Sequence, residues 1–203
     1  MEFSNTELNP NEQQNLVEKI KRGDETAFSE IYRSYRDRVY GFVYRMTINQ
    51  ATAEDITHEV FIFLIENPGR FQAGRSSLLT FLCGVARNLV MNHLRRKFNS
   101  DVGFDEFENF DALEDETKGN PLADLLNQEL AERIETCIAA LPPLQREVIV
   151  LREYQELSYE EIAKVTEAEL SAVKARLHRA RQALAKQLSA YITTSREKCY
   201  ELH

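Results

Sequence analysis

The chain has 203 residues, with 25 Lys and Arg against 33 Asp and Glu, so its formal net charge is -8. A hydrophobic fraction of 43%, a charged fraction of 29% and only 7 Gly and 5 Pro predict a folded, helix-rich protein of one or two domains. The longest apolar run, residues 60–65, is far shorter than the ~20 residues of a membrane-spanning helix, so no membrane insertion is expected. The three cysteines form no zinc motif, and an acidic total is not typical of a nucleic-acid-binding protein.

The N-terminal part predicts a helical bundle. Residues 1–14 are polar and acidic, unlike a signal peptide, and with the dispersed cysteines they indicate a cytoplasmic protein. A weak helical pattern covers residues 15–21. A long apolar stripe at helical spacing, from Phe28 to Met46, then predicts an amphipathic helix that begins near Asp24. No β pattern appears, so this half is expected to contain three or four helices.

A further helix is predicted over residues 51–67, where Asn67-Pro68-Gly69 ends it. The side chains expected to point inwards are Ile56, Val60, Phe63 and Leu64. The opposite face is exposed and mostly polar, with one aliphatic side chain among the charged ones. Its candidate functional residues are Asp55, His58, Glu59 and Ile62.

Residues 67–100 contain six basic residues and no acidic one. They comprise a Gly/Ser loop and a third helix, predicted over residues 77–97. The helix dipole accounts for bases at a helix C-terminus, but not for a whole block without acids. Amide side chains hydrogen-bond base edges and aromatic rings stack on bases, so nucleic-acid contact is one interpretation and a solvated basic helix end is the other. The candidate contacts are Phe71, Arg75, Arg87, Asn88, Asn92, Arg95 and Arg96.

Residues 101–120 carry eight acids and one base, a net charge of -7. They lack a helical or strand period and end at Gly119-Asn120-Pro121, so they are predicted to link two domains. The alternative is a solvated loop within one domain. Without this segment the total of -8 becomes -1, so the acidic sum hides basic blocks on either side of it.

The C-terminal part predicts a helix-turn-helix. Pro142-Pro143 opens one helix, and Ser158 with Glu161 forms a capping box at the start of a short second one. After a turn, Ser171 is expected to cap a longer helix, and residues 171–187 hold five bases and no acid. A short capped helix before a basic one is typical of a motif whose second helix enters the DNA major groove, whereas a helical hairpin with a solvated face is the alternative. The outward residues are Lys174, Ala175, His178, Arg179 and Gln182, with Arg176 and Arg181 suited to phosphates.

Two sets of motifs, in this order and separation, resemble those of the extracytoplasmic-function (ECF) sigma factors, specificity subunits of bacterial RNA polymerase. The first set is ATAEDITHEVFIFL with SLLTFLCGVARNLVMNHLRRK, and the second is LPPLQREVIVLREYQELSYEEIA with AVKARLHRARQAL. The resemblance implies an all-α protein without enzymatic activity or cofactor. It implies a sigma-2 helical bundle over residues 16–98, an acidic linker over 99–121, a sigma-4 helix-turn-helix domain over 122–190 and a tail over 191–203.

The resemblance also implies partners. The family's AED motif, matched by Ala53-Glu54-Asp55 and Glu59, binds the β′ clamp helices of core RNA polymerase, and the β flap is a further expected contact. The loop 71–77 matches the one that captures a flipped base, and Ala86-Arg87-Asn88 with Asn92 matches the helix that opens and reads the -10 element. Base contacts to the -35 element are expected from Lys174, Ala175, His178 and Arg179. An anti-sigma factor is the expected regulator.

Three positions depart from the family pattern: His58 replaces a Gln, Phe81 replaces a Trp, and Glu167 replaces the glycine of the turn, where strain or a different backbone is expected.

Two other function classes compete with this interpretation. A helix-turn-helix regulator would bind duplex DNA without polymerase, but it leaves the helix with Asn88 and Asn92 unexplained. An enzyme is disfavoured because the sequence shows no catalytic constellation or phosphate-binding loop.

Overall fold

All the regular secondary structure of the described residues is helical. The computed structural model describes residues 8–99 and 121–201, with side chains for 8–97 and 129–189. Over these residues there is no strand, which confirms the all-α prediction. Its helices are α1 (Pro10–Lys21), α2 (Glu25–Thr47), α3 (Gln50–Glu66), α4 (Leu78–Asn99), α5 (Pro121–Ala139), α6 (Pro143–Glu153), α7 (Tyr159–Thr166) and α8 (Leu170–Glu201), with a 3-10 turn at Pro68–Arg70 after α3.

The helix α1 begins at Pro10, earlier than the residue 15 that the apolar pattern predicts. A capping box starts it: the Asn9 side chain accepts from the amide of Glu12, and the Glu12 carboxylate accepts from the amide of Asn9. Proline suits the first turn because that turn needs no amide donor. The prediction used only the apolar residues and therefore missed the polar first turn.

The helices α2, α3 and α4 pack together with α1 into the first bundle. The apolar stripe of α2 is buried as predicted, with Ile31, Val39 and Phe42 fully inaccessible. In α3 the prediction was wrong for Phe63, which is only half-buried, because Phe61 turns inwards instead. The Phe61 ring packs edge-on against Tyr32 of α2 at 4.8 Å between centroids.

The helix α4 is buried on two sides, since it packs against α2 and α3 and also against α7. Its fully buried face therefore includes residues that the one-stripe prediction left out: Leu79, Cys83, Ala86 and Val90. The predicted Phe81, Val85 and Leu89 are only half-buried.

The helices α5 to α8 form the second unit. The capping box of α7 is present as predicted, since the Ser158 hydroxyl accepts from the Glu161 amide and the Glu161 carboxylate accepts from the Ser158 amide. Ser171 does not cap α8: the helix begins one residue earlier, and the Glu169 carbonyl accepts the first bonds, from Ala172 and Val173. Helix α5 was not predicted from the sequence, and α8 continues through most of the segment predicted as a tail.

The two units pack directly on each other. Helix α2 contacts α5 and α6, α4 contacts α7, and the buried side chains of both units belong to one continuous core. The acidic segment predicted as a linker lies outside the described residues. Over the part that is described, none of the helices has the length and apolar character to cross a membrane.

Candidate nucleic-acid and protein interfaces

The outer face of α3 brings together the four residues that the sequence singled out there. Asp55, His58 and Glu59 are exposed, and Ile62 is 51% exposed beside them. Ile65, one turn further, is 47% exposed and was missed by sequence reasoning, although its i, i+3 spacing from Ile62 is a readable signal. Two large exposed aliphatic side chains rimmed by polar ones are typical of a protein-binding surface.

The loop before α4 does not expose the ring of Phe71, which the sequence predicted as a contact for nucleic acid. Phe71 is 2% exposed and packs against Phe81, with 5.8 Å between the ring centroids, so the hypothesis that its ring stacks on a base is not supported. Its apolar ring gains more from burial in the core than from solvent exposure. An open cleft of about 710 Å³ lies beside it, and its rings come from Phe63 and Phe81.

Most of the polar residues predicted to contact nucleic acid lie on the exposed side of α4. Asn88, Asn92, Arg95 and Arg96 are exposed and follow one another at i, i+4, i+7 and i+8, so they share one face of the helix. Arg75 is exposed in the loop and lines the cleft that reaches Asn88. These residues form a continuous polar and basic surface.

Arg87 differs from its neighbours because it is already paired. Its Nε lies 3.0 Å from Oε2 of Glu147, a residue of α6 that is fully buried. The other oxygen of the same carboxylate lies 3.2 Å from Nη1 of Arg176 in α8. Burial raises the pKa of the Glu147 carboxyl, and the two guanidinium groups oppose that rise. One carboxylate thus holds an arginine from each half of the molecule.

The second helix of the helix-turn-helix, α8, exposes Lys174, Ala175, His178 and Arg179 on one face, as the sequence predicted. The two arginines expected to hold phosphates are both in ion pairs: Arg176 with buried Glu147, and Arg181 with Glu153 at 2.8 Å. The Arg181 pair is half-exposed and therefore weak, whereas the pair of Arg176 with buried Glu147 ties α8 to α6.

The turn between α7 and α8 shows how the chain manages without the glycine. Glu167 adopts φ 51° and ψ 39°, the left-handed conformation that glycine adopts freely. The backbone geometry of the turn is therefore retained, and Glu167 carries the strain that the sequence predicted.

Comparison with known proteins identifies both units. The model of the sigma-70 region 2 family matches residues 31–98, and that of sigma-70 region 4 matches residues 131–184. The RNA polymerase sigma-H factor of Pseudomonas aeruginosa is 34% identical over 89% of this chain and 96% of its own length. The ECF RNA polymerase sigma-E factor of Escherichia coli is 35% identical over 83% of this chain and 90% of its own length.

The fold agrees with these matches. The sigma factor RpoE from Bartonella quintana, solved in complex with the anti-sigma factor NepR, superposes with a TM-score of 0.66 at 21% identity, covering 80% of this chain and 96% of that one. Both helical units and their order along the chain are shared with known sigma factors. The protein therefore belongs to the ECF sigma factors of the sigma-70 family, which are alternative promoter-specificity subunits of bacterial RNA polymerase and not enzymes.

Proposed function

We propose that the three exposed surfaces divide the work of transcription initiation. The α3 face binds core RNA polymerase, the α4 face with its adjoining cleft opens and reads the -10 element, and the outer face of α8 reads the -35 element. Residues 16–98 act as sigma-2 and residues 122–190 as sigma-4, with the segment 99–121 between them, and the protein acts in the cytoplasm.

The assignment of α4 rests on its exposed amides and on the cleft. Asn88 and Asn92 stand one turn apart, and asparagine can donate to and accept from a base edge. The half-buried rings of Phe63 and Phe81 line a cleft that also reaches Arg75, which suits a base taken out of the duplex beside its phosphate. Phe71 has only an indirect part in this proposal, since it supports Phe81 from the core.

The assignment of α8 rests on the position of Arg179. It is exposed, and its Nε donates to the carbonyl of Ala175 at 3.3 Å, so the guanidinium remains available at the surface. A bidentate contact from arginine to a guanine is worth about 1–3 kcal/mol of discrimination. Arg179→Ala should therefore remove most of the preference for one base at a single position of the -35 element, measured as transcription from promoters that differ only at that position. Lys186→Ala, further along α8, should change no base preference. Equal loss on every -35 variant would show that Arg179 contacts a phosphate.

The assignment of α3 rests on the exposed pair Ile62 and Ile65 beside the acidic residues. An apolar centre with a charged rim is the usual anatomy of a protein interface. Asp55→Ala should weaken binding of the full chain to purified core polymerase about 10-fold in a fluorescence titration, as expected for one interfacial ion pair. Glu30→Ala, an exposed acid on α2, is the matched control. Unchanged affinity of the Asp55 variant would reject this surface.

Run-off transcription with purified core enzyme tests the whole proposal. Addition of the chain should produce transcripts from specific sites in a DNA fragment library, and absence of any specific transcript would refute it. Specific binding of the chain alone to duplex DNA would favour the regulator alternative. An exposed apolar face must also be covered when the protein is idle, so we include an anti-sigma factor among its partners, like the one that binds the structural relative.

A further inference from the structure

The first helix, α1, contacts the loop that precedes α4. Leu16, Val17 and Ile20 are buried in the core and fix α1 against α2 and the 3-10 turn after α3. The helix lies outside residues 31–98, which match the sigma-70 region 2 model, and none of the surfaces proposed for DNA or polymerase includes it. The contacts of α1 with the loop therefore have no role in the proposed function as it stands.

Gln13 of α1 uses both ends of its side-chain amide on backbone groups that are far apart in the sequence. Its Nε2 donates to the carbonyl of Leu8 at 2.7 Å, and its Oε1 accepts from the amide of Leu78 at 2.8 Å. Leu78 is the first residue of α4, where the amides of a helix have no partner in its own backbone. Gln13 is 6% exposed and Leu78 is fully buried, so without Gln13 this amide would be buried and unpaired.

Gln14, the next residue of α1, binds the same loop at an earlier position. Its Oε1 accepts from the amide of Ala73 at 3.1 Å. Its Nε2 donates to the carboxylate of Glu18, one turn further along α1, at 3.2 Å. Both ends of this side-chain amide are therefore also occupied, and one of them holds the backbone of the loop.

The two glutamines bind the backbone on either side of residues 74–76, which line part of the cleft beside α4. A loop that is ordered before binding loses less conformational freedom when a base enters the cleft. Hydrogen bonds from a packed helix to both ends of the loop provide that order. The side chain of Arg75 is thereby kept beside the cleft, although it makes no contact with α1 itself.

We propose that Gln13 and Gln14 are positioning residues for the -10 element: they hold the loop 73–78 in the shape that completes the cleft, and they do not contact DNA themselves. This inference rests on the proposed function for the role of the cleft. The shape of the loop is measurable without DNA or polymerase.

Gln14→Met is the informative change, because methionine has a similar length but no oxygen to accept from the Ala73 amide. Gln14 is only partly buried, so the bundle should remain folded. Gln14→Glu keeps an acceptor at this position, since a carboxylate accepts hydrogen bonds but donates none. Glu18→Ala is the matched control, because it removes the partner of Gln14 Nε2 and leaves the bond to Ala73 in place.

Hydrogen exchange of the free full-length chain, followed for single amides by NMR, tests the loop. The Ala73 amide should exchange about 10-fold faster in Gln14→Met than in the wild type. In Gln14→Glu and Glu18→Ala it should stay within about twofold of the wild-type rate. The amides of α2 should keep their wild-type rates in all three variants, which shows that the bundle is intact.

Transcription with purified core polymerase tests the consequence for DNA. The templates are a promoter recovered from the fragment library and its single-base variants in the -10 and -35 elements. In Gln14→Met, the ratio of transcription from the preferred base to the least preferred base should fall about 10-fold at one -10 position, the order of one base contact. The same ratio should be unchanged at every -35 position, as should the affinity for core polymerase. A merely structural defect would lower the amount of active protein and leave every ratio intact.

Gln13→Met provides a second test at the other end of the loop. The Leu78 amide should exchange faster in this variant, and the same -10 base ratio should fall. Because Gln13 is buried, the variant should be less stable than the wild type, so the ratio is measured at a temperature where circular dichroism shows it to be folded.

The proposal is overturned if Gln14→Met leaves the exchange of the Ala73 amide unchanged, if that exchange rises without a change in the -10 base ratio, or if Gln14→Glu does not behave like the wild type in both measurements. If the wild type itself directs no specific transcription, the proposed function is rejected instead. The exchange rates then still decide whether the two glutamines hold the loop.

Discussion

The ion pair between Arg45 and Glu135 provides a direct measure of how strongly the two domains are coupled. It is short, with Arg45 Nη2 2.8 Å and Nε 2.9 Å from the same carboxylate oxygen, and both side chains are 13% exposed. The Arg45 guanidinium covers the ring of Tyr154, and burial raises the pKa of Tyr154 to about 12, so the phenol stays neutral beneath it. Replacing either partner leaves a largely desolvated charge.

The expected magnitude follows from this burial. Exposed ion pairs contribute about 0–1 kcal/mol, whereas breaking a fully buried pair costs about 3–5 kcal/mol. At 13% exposure the pair is close to the buried limit, but water that enters the interface of a variant can rehydrate the remaining charge and reduces the loss. The cation–π contact with Tyr154, worth up to about 2 kcal/mol, is also lost in Arg45→Ala, but it does not enter the coupling energy because the double variant lacks it too. We expect a coupling energy between Arg45 and Glu135 of about 2 kcal/mol.

A double-mutant cycle in urea measures this energy. The wild type, Arg45→Ala, Glu135→Ala and the double variant are unfolded while helix content is followed by circular dichroism, and the coupling is the deviation from additivity. The same cycle on Arg36 and Asp37, which are 49% and 75% exposed, should give less than about 0.5 kcal/mol. A value for Arg45 and Glu135 as small as that of the exposed pair would refute the reasoning.

Two further predictions concern α7. Glu167→Gly should raise the free energy of unfolding in urea by about 0.5–1 kcal/mol. Glycine relieves the left-handed strain, and this gain exceeds the greater conformational entropy that glycine gives the unfolded chain. An unchanged or lower free energy of unfolding would contradict the strain. Partial burial tends to raise the pKa of Glu161, but hydrogen bonds from Ser158 and Thr80 outweigh it and hold that pKa below its usual value. Glu161 therefore contributes stability above ~pH 4.5, and this contribution is lost as the pH falls through its lowered folded pKa. In Glu161→Gln, the free energy of unfolding in urea, measured from pH 7 to 3, should fall less steeply towards acid pH than in the wild type. An unchanged fall would contradict this.

Features that depend on short stretches of sequence could be predicted. The exposed face of α3 follows from helical spacing alone, and the capping box of Ser158 and Glu161 needs only residues three apart. The face of α8 with Lys174, His178 and Arg179 follows in the same way. Each of these depends on the geometry of one helix, which the sequence contains in full.

Features that depend on packing between distant segments could not be predicted. Phe71 is buried because Phe81 lies against it, and nothing in the local sequence distinguishes a core ring from a stacking ring. Arg87 is paired with Glu147, 60 residues away, so its pattern as a free base on a basic helix was misleading. The second buried side of α4 arises from α7, which no single apolar stripe can reveal.

The role of Glu147 explains why the number of charges says little about DNA binding in this chain. Its carboxylate lies between Arg176, which belongs to its own domain, and Arg87, which belongs to the other. The pair with Arg176 lies within one unit, where α6 and α8 pack together. The pair with Arg87 joins residues that are 60 positions apart along the chain. The same buried acid therefore neutralises a base on α4, so the number of bases in residues 67–100 overstates the positive charge that α4 presents beside Asn88.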